Sequence, residues 1–155
     1  MGAASKLASR AAFIVVLAGV VLSPAGVTSP SQTADQTVPA FHAKAPKGDL
    51  PDTLSPSLFT NVVVQNTYTL AARVKKLLYQ QPCYCHCDRS KGHASLLDCF
   101  ASAHGSECGV CLSEALYTYE QSRKGKTAAQ IRQGIEHGDW QHVDISKYQT
   151  PLAAE

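Results

Sequence analysis

The sequence predicts an all-α fold, a small domain of about four helices around a cysteine-rich loop. Between residues 56 and 138 apolar side chains recur at three- and four-residue steps, and no segment alternates apolar with polar residues as a half-buried strand does. The helices also have something to surround, because all six cysteines of the 155-residue chain lie between Cys83 and Cys111. Cysteines that only staple a scaffold tend to be spread along it. Crowding them points to sulfurs that meet at one place.

Residues 1–25 read as an export signal. Lys6 and Arg10 make a positive start, residues 11–22 are apolar, and Ser23-Pro24-Ala25 offers small residues for cleavage. The apolar stretch is short of the roughly 20 residues that cross a bilayer, so no stable membrane span is expected. No cysteine stands near the cleavage region to carry a lipid anchor. Residues 26–54, rich in Ser, Thr, Pro, Ala and Gln with no hydrophobic period, are expected to be a disordered tether. The cysteine-rich helical domain is expected over residues 55–148, followed by a disordered tail at 149–155.

Ser55 as a cap and Pro56 in the first turn open a long helix over 56–80. Phe59, Val62, Val63, Leu70, Val74, Leu77 and Leu78 make its apolar stripe. Arg73, Lys75 and Lys76 gather where the helix dipole favours cations, and Pro82 closes the segment. From Cys83 to Gly92 the chain reads as a loop. A short helix over 95–103 carries Leu96, Cys99 and Phe100 on one face and stops at Gly105. Ser106 caps a third helix over 106–123, with Cys108, Cys111, Leu112, Ala115 and Tyr119 on one stripe and Gly125 as its stop. A fourth helix over 127–138 turns Ile131 and Ile135 inward and ends at Gly138. A domain this small buries a limited core and benefits from a metal or disulfide cross-link.

Charge excludes one class of partner. Of the 14 Lys and Arg residues, Lys6 and Arg10 belong to the export signal, which leaves 12 against 12 Asp and Glu. A neutral balance without a basic stripe lacks the footprint of a nucleic-acid binder. No Ser-His-Asp order, paired-carboxylate motif or phosphate-cradling glycine loop stands out.

The chemistry therefore rests on sulfur. Cys83, Cys85 and Cys87 occupy every second position, and sulfurs at that spacing pair with each other only under strain. Cys99, Cys108 and Cys111 lie on inward helix faces opposite them. His93 and His104 stand close enough in sequence to complete a ligand set. Such a cluster fits a soft metal, first Cu(I), which prefers thiolates and which an exported protein meets. Zn is the alternative, held by four cysteines or by three cysteines and a histidine. A metal ion is the expected ligand, with a metal-delivery or redox protein as the expected partner. Two other readings stand beside this one. Cys108 and Cys111 in the first turn of a helix suit an exported thiol–disulfide redox protein. Three disulfides joining the loop cysteines to the helix cysteines suit a stapled interaction domain without chemistry. His86 is expected to point away from the sulfurs along an extended segment and to be exposed, and Tyr84 to pack over the cluster.

The run Pro82-Cys-Tyr-Cys-His-Cys87, followed by Gly92-His-Ala-Ser-Leu-Leu-Asp-Cys-Phe100, His104-Gly and Cys108-x-x-Cys111, resembles the bacterial exported family with the Pro-Cys-Tyr-Cys-x-Cys motif. The likeness continues through Glu114-Ala115, Tyr119-Glu120, Gly125-Lys-Thr127 and Ile131-Arg132 and covers roughly residues 56–140. Many members of that family carry Gly where this chain has His86. The resemblance implies an exported cysteine constellation with redox or metal-binding potential and supplies no mechanism.

Overall fold

Six α-helices and no strand are found among residues 38–153, which the computed structural model describes: α1 (Val62–Arg73), α2 (Lys75–Leu78), α3 (Cys87–Lys91), α4 (Leu96–Phe100), α5 (Gly109–Arg123) and α6 (Ala128–Glu136). The expected export signal and the first part of the expected tether lie outside the described residues. No helix among the described residues is long and apolar enough to cross a membrane.

The single long helix expected over 56–80 is divided into three. Pro56–Leu58 form a 3-10 turn capped by Ser55, and the chain then restarts at Asn61, whose Oδ1 accepts the N–H groups of Val63 and Val64 at 2.9 and 3.3 Å. An asparagine side chain satisfies the free donors of a helix start, so it makes a cap at a position that periodicity alone reads as helix interior. Val74 (φ −120°, ψ 24°) then separates α1 from α2. The third expected helix starts later than Ser106, which lies in the 3-10 turn Ala103–Glu107, and Cys108 becomes the N-cap of α5. The fourth is α6, opened by a reciprocal capping box between Thr127 and Gln130. Gly125 and Gly138 take left-handed backbone just beyond α5 and α6, as their role of stop signals requires.

Helix α1 packs along α5, and α4 and α2 close the far side. The main core joins Val64, Tyr68, Ala71, Val74 and Leu78 to Leu96, Leu97, Phe100 and Ala115, and Cys83, Cys87, Cys99 and Cys111 belong to the same cluster. Gly105 is buried in it. A Cβ there would stand 2.9 Å from the Cys99 carbonyl oxygen and 3.1 Å from Tyr68 Oη, so close approach, rather than helix termination, fixes this glycine. On the other flank Tyr117, Ile131 and Ile135 dock α6 onto α5.

Two expected disordered segments are ordered where they are described. Within 38–54, His42 stacks on Tyr79 with ring centroids 3.9 Å apart, Phe41 lies under the Arg132 guanidinium, Leu54 N–H donates to the Phe100 carbonyl at 2.9 Å, and Leu50 and Leu54 pack on the core. These anchors are scattered singly through polar sequence, so they leave no period to detect. At the other end Asn66, buried on α1, donates to the carbonyls of Tyr148 and Thr150 and accepts from Leu152 N–H, which ties down the tail through residue 152.

Candidate metal centre

The motif stretch is held at both ends before it turns. The Gln81 carbonyl accepts Leu96 N–H at 2.9 Å, and the Gln81 side chain donates to the Leu77 and Ala128 carbonyls. Tyr84 N–H then donates to Oε1 of Glu114 at 2.8 Å, which fastens the loop to α5. His86 follows in left-handed backbone (φ 55°, ψ 35°), and its N–H returns to the Cys83 carbonyl at 3.0 Å. This tight turn brings Cys87 round to begin α3, so the loop cysteines gather at one point instead of being spaced out along one face of an extended strand. The turn also explains a correction to His86. It is half-buried with its ring edge-on to Tyr84, and its Nδ1 is enclosed without a hydrogen-bond partner, whereas an extended segment would expose it.

All six sulfurs converge. Cys83 Sγ stands 3.3 Å from Cys85 Sγ and 3.4 Å from Cys111 Sγ, Cys85 and Cys111 are 3.6 Å apart, and Cys87 and Cys99 are 3.3 Å apart. Cys108 joins through the set Cys85, Cys108, Cys111 and His104, whose ligand atoms all lie within 4.8 Å of one another. The six are free thiols. A disulfide holds its sulfurs about 2.05 Å apart, whereas zinc bonded to thiolates at about 2.3 Å spaces its ligands roughly 3.8 Å apart. The observed separations fall near the second figure, and Cys83, Cys85 and Cys111 form a mutual triangle that pairwise bonds would not exhaust.

Both candidate histidines reach the sulfurs. His104 Nε2 stands 3.5 Å from Cys85 Sγ and His93 Nδ1 stands 3.3 Å from Cys99 Sγ, with the two rings edge-to-face at 5.3 Å. His104 also groups with Cys87 and Cys99, while His93 contacts Cys99 but falls outside every group of three or more mutually close ligands. Burial lowers the His93 pKa and so favours the neutral imidazole that ligates metals.

Four of the sulfurs are held protonated. Burial pushes the Cys85 thiol up to about 11. Cys83 is pushed up by the Cys111 sulfur beside it and by burial. For Cys99 and Cys111, one neighbouring sulfur favours the thiolate, but a second neighbour and burial outweigh it and raise both. A cation among the sulfurs would reverse this by taking the place of the protons.

Glu114 was not among the candidates, yet it lies against the loop. It is fully buried, and burial raises its carboxyl to about 8, with Tyr84 N–H and the Cys83 thiol holding it partly down. The signal was in the register: Glu114 is three residues beyond Cys111, on the same inward stripe of the helix.

Fold and site together define a small all-helical domain built round a thiol–imidazole cluster that could hold a metal ion. The chain belongs to the family described as a protein of unknown function with PCYCGC motif, which matches residues 14–151. No curated protein and no solved structure matches it. The family motif has Gly in the place of His86, the one non-glycine residue with positive φ among the described residues. Glycine adopts that backbone without strain, so the turn that gathers the sulfurs accounts for the glycine of the motif.

Proposed function

We propose that this is an exported protein that binds a soft metal, Cu(I) first, through Cys83, Cys85, Cys87, Cys99, Cys108 and Cys111, with His93 and His104 completing the ligand set. The observation that carries the reading is the overlap of ligand groups: Cys83 and Cys111 each belong to more than one set of close donors. Shared sulfurs suit thiolate clusters in which one sulfur bridges two ions, and triangles of sulfur suit Cu(I). The set Cys85, Cys108, Cys111 and His104 favours zinc as the second reading, since three sulfurs and one imidazole nitrogen match a common tetrahedral zinc site. The redox reading is weaker, because an attacking thiol needs a lowered pKa and Cys111 is shifted the other way.

The test is anaerobic titration of the reduced chain with Cu(I) against a competing chromophoric chelator, with zinc run in parallel. Retention of Cu(I) against the chelator, weakened by Cys85→Ser with unchanged helical circular dichroism, is the expected result. Failure to retain either metal, together with three disulfides by mass in protein taken from its native compartment, would sink the proposal in favour of the staple.

A further inference from the structure

The donors are not equally exposed. Cys83, Cys99 and Cys111, one of the close groups, are 2, 0 and 0 % exposed. In the group Cys85, Cys108, Cys111 and His104, every member except Cys111 is only half-buried. Cys111 is the single residue common to both. A second observation separates the same two sides. Residues 39–40 lie over Cys83 and Cys87 with no room for a water molecule between, and the Ala40 N–H donates to Asp88 Oδ2 at 3.1 Å to hold them there. One side of the cluster is covered by chain, and the other opens to solvent through Cys85, Cys108 and His104.

Resting on the metal-binding reading above, we propose that the cluster has an inner position, where metal is kept, and an outer position, from which metal is exchanged with a partner protein bearing exposed thiolates or thioethers. The inner ion is held by Cys83 and Cys99, the outer by Cys85, Cys108 and His104, and Cys111 bridges them. Transfer at the outer position is ligand exchange without change of oxidation state. An incoming partner sulfur bonds the ion, the bond to Cys108 breaks, and Cys108 takes a proton from water. The incoming sulfur meets Cys108 first because that residue caps α5 at the surface and its side chain makes no capping hydrogen bond. Metal at the inner position has no such route, since every sulfur around it is enclosed by core side chains or by residues 39–40.

The test loads the reduced full chain with Cu(I), counts metal per chain, and follows release into excess bicinchoninate by stopped flow. More than one ion per chain is expected, leaving in two phases whose rates differ by about tenfold or more. His104→Ala with Cys108→Ser should remove the fast phase and spare the slow one. Asp88→Ala, which frees residues 39–40, should speed the slow phase and leave the fast one unchanged. A second measurement needs no variant: limited iodoacetamide treatment of the metal-free chain should alkylate Cys85 and Cys108 before Cys83, Cys99 and Cys111. Tight binding that releases all metal in one phase, or uniform alkylation of the sulfurs, would overturn the two-position proposal while leaving metal binding intact. No retained metal at all would defeat the underlying reading instead.

Discussion

Replacing His86 by Gly and, separately, by Ala isolates the backbone of the motif turn. Both variants lose the imidazole, its edge-on contact with Tyr84 and its enclosed, unpartnered Nδ1, so these contributions cancel between them. What differs is the left-handed conformation at φ 55°. Holding an L-residue there costs about 1–2 kcal/mol. Glycine escapes that cost but loses more freedom on folding, by about 0.4–1 kcal/mol relative to Ala. The difference leaves His86→Gly more stable than His86→Ala by about 1 kcal/mol, or roughly 4 °C in a domain of this size. Thermal melts of the reduced, metal-free proteins by circular dichroism measure it directly. Equal melting temperatures, or a more stable alanine variant, would refute the assignment of the motif glycine to backbone geometry. A loss of Cu(I) stoichiometry common to both variants would show instead that the imidazole itself is a ligand.

Three other outcomes follow from the packing and the charges. Gly134→Ala should lower the melting temperature, because its Cβ would fall 1.9 Å from Tyr117 Oη; overpacking of this kind costs about 1–3 kcal/mol, and Tyr117→Phe in the same chain should restore part of it. Stability of the metal-free protein should fall as pH rises from about 6.5 toward 8, because the folded Glu114 carboxyl, at about 8, holds a proton that its unfolded form near 4.5 has lost. The slope approaches 1.4 kcal/mol per pH unit near pH 7 and should be largely lost in Glu114→Gln up to about pH 7.5, before the unfolded forms of the raised thiols, near 9, lose protons. The lowered His93, whose unfolded form titrates at 6.5, opposes the slope only near its start. Loading with Cu(I) to about a hundredfold above its dissociation constant should add about 2.7 kcal/mol of stability, reversed by a Cu(I) chelator and not by reductant alone; reversal by reductant would favour the disulfide staple over the metal.

The helices α5 and α6 were legible because their signals are local: a 3.6-residue stripe, a capping box at Thr127 and glycine stops at Gly125 and Gly138. The division of the first helix was harder to see, since Asn61 caps by a side-chain bond that leaves the apolar stripe around it unbroken. Helix α3 reads as loop in the sequence because it is a short run of polar residues after Cys87 with no apolar face of its own. The convergence of Cys99 and Cys111 could be read from their inward register, and the crowding of the motif cysteines from spacing. The partner that fastens Glu114 and the covering of Cys83 by residues 39–40 could not. Each depends on which distant segment lies opposite, Tyr84 in one case and Asp88 in the other, and sequence spacing carries no record of that.

The cysteines serve two physical roles, and the protonated state joins them. Cys83, Cys87, Cys99 and Cys111 pack among Leu96, Leu97 and Phe100 like other small apolar side chains. Neighbouring sulfurs, together with the burial that makes them good core residues, hold Cys83, Cys99 and Cys111 protonated, and burial chiefly does the same for Cys85. On the proposed metal-binding reading, an incoming ion would have to displace those protons, so binding should weaken as pH falls and release protons that a weakly buffered titration can count. The fold thus sets a gradient across the cluster. On the enclosed side the proposed inner position lies among packed core side chains, and on the open side the proposed outer position meets solvent at the half-buried Cys85 and Cys108.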